Sequence, residues 1–217
     1  MTDTTRTARQ TLPAYRSGRL LLSIALIATL AIGLQGCVEM VVGSAVVGTI
    51  AATDRRTVGA QADDTAITVK GEARIPGLIG DAGHVNIASF NRKVLLTGEV
   101  KDEATRTAVE RDISAIQGVQ GIINELVVTE RSNYTSRGND ALLTGKVKAS
   151  FVDTRDLSAT AIKVVTERSS VYLMGRVTDR EGRRAAEVAR GVTGVERVVK
   201  VFDYIGEDDL RRIDKRS

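Results

Sequence analysis

The chain has one cysteine, one histidine, no tryptophan and two prolines in 217 residues, and aromatic residues make up only 3% of it. A single cysteine cannot close a disulfide within the chain. One cysteine and one histidine also cannot fill a structural zinc site built from those two residue types. A Ser/His/Asp set would have to be built on His84 alone, and no glycine-rich phosphate loop precedes a helical pattern. His84 falls in a glycine-containing stretch and reads as a surface loop residue. These absences point away from an enzyme, and neither a cofactor nor a metal is expected.

With no partner, Cys37 could be a nucleophile, a buried thiol, an intermolecular bridge or a modified residue, and its surroundings favour modification. Arg6, Arg9, Arg16 and Arg19 precede an apolar stretch at 20–33, and small residues follow it, which is the layout of a cleaved secretory signal. Those 14 apolar residues are fewer than the roughly 20 a membrane span needs. The expected signal, 1–36, holds four of the 31 basic residues and one of the 27 acidic ones. The rest therefore carries 27 basic and 26 acidic residues. The pI near 9.4 belongs mostly to the signal, so nucleic acid is not an expected partner. Residues 41–52 are apolar and small, suited either to a tether packed on the first domain or to a segment lying at a membrane surface. Residues 53–64 are polar and read as a linker.

The strongest internal signal is a repeat. "VLLTGEVKDEATRTAVERD" at 94–112 matches "VYLMGRVTDREGRRAAEVA" at 171–189 with a constant offset of 77, pairing Val94, Leu96, Gly98, Val100, Asp102, Arg106, Ala108 and Glu110 with identical residues. After one dropped residue, "GVQGIINEL" from Gly118 parallels "GVERVVKVF" from Gly194. In each copy the alternation predicts a hairpin, 87–90 with 94–100 and 162–166 with 171–177, turning at 91–93 and 168–170. A helix follows, capped by Asp102 or Asp179 and closed by Gly118 or Gly194, and the crossover makes the last strand parallel to the second. Gly71, Pro76, Gly77 and Gly80 predict a short opening helix in copy one. Copy two has a better opening helix at 140–152, with Leu143, Val147 and Phe151 on its core face.

These residues resemble the BON domain, a module of bacterial envelope proteins marked by a "V.L.G.V" strand, a helix and a "GV" before the last strand. Leu34, Gln35, Gly36 and Cys37 resemble a lipoprotein lipobox, and Val38, in place of an aspartate, implies sorting to the outer membrane. Lipobox and two copies together are similar to the dual-BON outer-membrane lipoproteins. The resemblance implies an α+β fold with two tandem αββαβ domains, each a three-stranded mixed sheet on two helices. The expected organisation is a signal at 1–36, an acylated tether and linker at 37–62, BON domains at 63–130 and 138–207, and a charged, disordered tail at 208–217. It also implies a lipid-anchored protein of the outer membrane, facing the periplasm, that binds anionic phospholipid through its second domain and supports envelope integrity, including at division sites.

The resemblance places the lipid contact on the helix at 140–152, where the family carries an aromatic at the position of Leu142. The candidate phospholipid-binding residues are Leu142, Lys146, Lys148, Ala149 and Val152, exposed on the helical wheel away from the core face. A second reading is a protein-interaction adaptor for outer-membrane assembly or division proteins, with lipid contact incidental. The two domains are expected to fold separately, the first less stably because of its glycines and proline. Asp153, Asp156 and the Glu/Arg clusters read as solvated charge and helix caps.

If Cys37 carries the anchor, Cys37→Ser should move the protein from the membrane fraction to the soluble periplasm, measured by fractionation after salt and carbonate washing. A variant that stays in the washed membrane would show that another segment holds it.

Overall fold

Both repeat copies fold in the same order of elements. The computed structural model describes residues 54–214; the expected signal, Cys37, the stretch at 41–52 and the last three residues lie outside the described residues. Copy one comprises α1 (Val58–Ile79), β1 (His84–Phe90), β2 (Lys93–Val100), α2 (Glu103–Ser114) and β3 (Gly121–Val128). Copy two comprises α3 (Tyr134–Val152), β4 (Ile162–Glu167), β5 (Ser170–Val177), α4 (Asp179–Arg190) and β6 (Arg197–Tyr204), and a last helix, α5, spans Glu207–Asp214. In each sheet the second strand is central, antiparallel to the first and parallel to the third. The expected αββαβ fold with a mixed sheet on two helices is the fold observed.

Alternation along the central strands explains the layering. Val94, Leu96 and Val100 join Ile67 and Ile75 of α1 and Val109 and Ile113 of α2 in one core, and Val171, Leu173 and Val177 join Val147, Phe151, Ala185 and Ala189 in the other. The residues between them point the opposite way. Ala88, Phe90 and Leu95 of the first sheet meet Tyr172 and Met174 of the second in a third apolar cluster. The two sheets thus pack on each other, each with its own helices outside. Each domain closes the open face of the other's sheet.

Polar contacts border this seam. Asn86 Nδ2 donates to Glu167 Oε2 at 2.6 Å, Asn91 Nδ2 to Asp203 Oδ2 at 2.8 Å and Arg197 Nη2 to Glu125 Oε2 at 2.9 Å, and Lys93 pairs with Asp203. Arg55, just before α1, reaches the second domain and grips Glu181 with two bonds of 2.8 Å, both side chains buried. Several acidic residues are buried: Asp64, Glu99, Asp140, Glu167 and Glu181.

Each hairpin turns through two non-glycine residues with positive φ: Asn91 (50°) and Arg92 (64°), then Arg168 (49°) and Ser169 (57°). Such turns fit the twist of a hairpin but are strained for side-chain-bearing residues. One buried aspartate on the opening helix of each copy holds them. Asp64 accepts the N–H groups of Asn91 and Arg92 at 2.7 Å, and Asp140 those of Arg168 and Ser169 at 2.9 Å. The glycine of the "V.L.G.V" strand has a different cause. A Cβ on Gly98 would lie 2.0 Å from the His84 carbonyl oxygen, and one on Gly175 2.5 Å from that of Ala161, so both allow close approach of the preceding strand.

Several expectations are corrected. The opening helix of copy one is the longer of the two, 22 residues against 19, and starts at Val58 inside the stretch read as a linker. Gly71 permits this rather than opposing it, because a Cβ there would fall 2.2 Å from Ile87 Cδ1; Pro76 lies in the last turn, where one lost backbone bond is tolerated. The cap of α4 is Thr178, not Asp179. Its hydroxyl accepts from Glu181 N while Glu181 Oε2 accepts from Thr178 N, whereas Lys101, the matching residue of copy one, offers no acceptor and Asp102 caps α2 instead. Gly118 (φ 97°) and Gly194 (φ 101°) do not close the helices, which end at Ser114 and Arg190; they turn the chain into β3 and β6. The tail is helical over Glu207–Asp214 and buries Leu210. His84 is the first residue of β1, partly buried, not a loop residue.

Arg55→Ala should destabilise the fold by about 3–5 kcal/mol, because it leaves the buried Glu181 carboxylate without its cation; adding Glu181→Gln should recover much of that loss in urea unfolding. Burial raises the Glu181 carboxyl, but the Arg55 guanidinium and the Thr178 N–H outweigh it and hold the carboxyl below its usual 4.5. The stabilisation it supplies is therefore present above about pH 4.5 and lost as pH falls through the folded value. The acid unfolding of Glu181→Gln should be correspondingly shallower.

Candidate functional site

Helix α3 starts where Asn133 Oδ1 accepts from Ser136 N at 2.8 Å, and Leu143, Val147 and Phe151 at four-residue spacing bury its inner face with Asp140. The same spacing turns the expected site residues outward. Leu142 is 68% exposed and Val152 72%, while Lys146, Lys148 and Ala149 are also exposed. At about 100° per residue they form two adjoining stripes, Leu142 with Lys146 and Ala149, and Lys148 with Val152. All five therefore lie on one open helix face. Between Ala141 and Val152 that face has no acidic residue, and a Cβ on Gly138 or Gly145 would meet nothing within 4 Å.

One residue of this face escapes the sequence reading, which started the helix at Asp140. Tyr134 is 81% exposed, with the Arg137 guanidinium 4.3 Å from its ring centroid. It precedes Val152 by 18 residues, five full turns, so the two occupy the same side of the helix. The Asn133 cap was the available signal. On the Lys148 side, Lys163 of β4 donates to the Ser89 carbonyl at 3.2 Å. Burial pushes its ammonium below the usual value, and the charges of Arg56 and Lys148 push it further. The arrangement sets apolar side chains beside positive charge on an open helix face. No described helix is long and apolar enough to cross a membrane.

A profile of the BON domain family matches residues 63–130 and 139–206. The chain is 37% identical over 175 residues to the outer membrane lipoprotein DolP of Haemophilus influenzae, covering 79% of this chain and 90% of that protein. It is 29% identical over 154 residues to the 21 kDa hemolysin of Actinobacillus pleuropneumoniae, covering 70% and 79% of the two chains. The osmotically-inducible protein Y of Escherichia coli is 27% identical over 151 residues, covering 65% of this chain and 72% of its own.

Leu142→Glu should leave the thermal midpoint nearly unchanged, since an exposed substitution away from caps and partners shifts stability by about 0.5 kcal/mol or less. Leu143→Glu, one residue along, should unfold the domain because it buries a carboxylate among Val147 and Phe151. Circular dichroism melts of the two variants check the helix phase directly.

Proposed function

This chain belongs to the BON-domain family as a two-domain member, and from that premise we propose that its second domain binds anionic phospholipid through the outer face of α3. The observation that carries this reading is the exposure of Leu142 and Val152 beside Lys146 and Lys148 on a helix face that has no acidic residue until Asp153 at its C-cap. As an outer-membrane lipoprotein of the envelope, the protein is held at the bilayer through Cys37 and faces the periplasm, and α3 adds a second, weaker contact. A lysine near an anionic surface contributes about 1 kcal/mol, and burying a leucine side chain roughly 1.5–3 kcal/mol. Contacts of that size do not hold a free protein firmly, but they suffice for one whose anchor already concentrates it at the membrane. The role is binding and local sensing of lipid, in support of envelope integrity, rather than catalysis.

The test is sedimentation of the soluble fragment from Val38 onward with vesicles. Anionic vesicles at low salt should bind it, zwitterionic ones or high salt should not, and Lys146→Glu with Lys148→Glu should weaken binding by tens of fold. Leu142→Glu should weaken it at both salt concentrations. Binding unchanged in all these variants would move the contact elsewhere and favour a protein partner for this face.

A further inference from the structure

We propose that His84, Glu99 and Glu167 form a binding site for one divalent metal ion of the zinc type at the seam between the two domains. His84 opens β1 and lies directly across from Glu99 of β2 in the antiparallel register, and Glu167 closes β4 of the other domain. His84 Nδ1 is 3.9 Å from Glu99 Oε2 and 4.0 Å from Glu167 Oε1, and one ligand atom from each residue falls within 4.8 Å of the others.

The second observation is that these groups are buried with free valences. The side chain of Glu99 is 0% exposed and that of Glu167 5%. One oxygen of each is anchored: Glu99 Oε2 accepts from Ser132 N at 3.1 Å and Glu167 Oε2 from Asn86 Nδ2 at 2.6 Å. The remaining oxygens, Glu99 Oε1 and Glu167 Oε1, have no hydrogen-bond partner among the described residues, and neither does His84 Nδ1. Buried polar atoms in folded proteins are nearly always paired, so three free ones on three neighbouring side chains need an account. Anchoring of one carboxylate oxygen by a neighbouring donor while the other faces inward is how metal-ligating carboxylates are oriented.

The charges agree. Burial raises the Glu167 carboxyl to about 7, and the nearby Glu99 and Asp140 add to this against the Asn86 hydrogen bond and Arg137. Burial and Arg137 lower His84, outweighing Glu99. Arg168 Nη1 lies 3.7 Å from Glu99 Oε1, beyond hydrogen-bond length, on a half-exposed side chain. Together with Arg131 and Arg137 it disfavours an ion attracted by charge alone, such as magnesium. One imidazole nitrogen with two carboxylates suits zinc and its neighbours, and three protein ligands leave one position open. Bonds of about 2.0–2.1 Å put tetrahedral ligands roughly 3.3–3.4 Å apart, so the His84 distances must close by about 0.6 Å and the two carboxylates, within 4.8 Å of each other, by up to about 1.4 Å. A cleft of about 260 Å³, lined by His84, Asn86, Arg137, Thr144 and Glu167, gives access. Because Glu167 comes from the second domain, the ion fastens the two domains together.

The experiment uses the full chain without a polyhistidine tag, purified in detergent, stripped with chelator and then exposed to zinc chloride before gel filtration. One zinc should remain per chain, and the thermal midpoint should rise by several degrees over the stripped protein. Glu167→Gln, which keeps an acceptor for Asn86, and His84→Gln, which removes the only histidine, should each lose the retained zinc and the shift; Cys37→Ser should keep both. A wild-type chain that retains no zinc, or a full equivalent retained by both Glu167→Gln and His84→Gln, overturns the proposal. Should one variant fail to fold, the other decides.

Discussion

Everything in the described chain follows from one constraint: a three-stranded sheet has two faces, and two short helices cover only one of them. The other face of each sheet, carrying Ala88, Phe90 and Leu95 or Tyr172 and Met174, is closed by the partner domain. Central strands covered on both sides are buried along nearly their whole length and mostly apolar, with Thr97 and Glu99 as buried polar residues in β2. Lys93–Val100 is buried at every residue after the first, and Ser170–Val177 nearly so. Doubling the module is therefore how this protein builds enough core, and polar contacts such as Asn86 with Glu167 and Arg55 with Glu181 set the orientation of the two halves.

That layering also decides which surfaces remain for function. With both sheets turned inward, the helices are the outside of the molecule, and each helix presents an inner apolar face and an outer free one. On α3 the outer face joins Leu142 and Val152 to lysines. On α4 it carries Arg180, Arg183 and Arg184, paired with Glu207, Asp179 and Glu187, so its charge is largely spent on neighbours. The contrast is why the proposed membrane contact is placed on α3 and not on α4.

How much of this was legible depended on sequence distance. The repeat, the hairpins, the crossover and the inner face of α3 all rest on neighbours within a few residues, and the α+β architecture was read from them. The exposure of Leu142, Lys146, Lys148, Ala149 and Val152 was legible for the same reason, since helical phase is local. What was missed is long-range. Gly71 looked like a helix breaker because Ile87, the side chain it makes room for, lies 16 residues away. Asp64 and Asp140 looked like ordinary polar residues, although the turns they hold come 27–29 residues later. His84 looked solitary because its neighbours are carboxylates from another strand and another domain, and a search for metal ligands limited to cysteine and histidine passes over them.

The Arg55 contact has a consequence for the anchor. The described chain begins at Asp54, and Arg55 is held against Glu181 and the carbonyl of Arg176, both in the second domain. The described chain therefore begins against the second domain, although by sequence its start precedes the first. Seventeen residues separate Cys37 from Asp54, and a chain reaches at most about 3.3–3.6 Å per residue, so the anchor proposed at Cys37 would keep this point within roughly 60 Å of the bilayer. Within that reach the proposed contact of α3 is intramolecular, and its occupancy depends on tether length more than on intrinsic affinity. A weak site is then an advantage: lysines worth about 1 kcal/mol each leave the bound fraction sensitive to the density of anionic lipid, which a tight site would saturate.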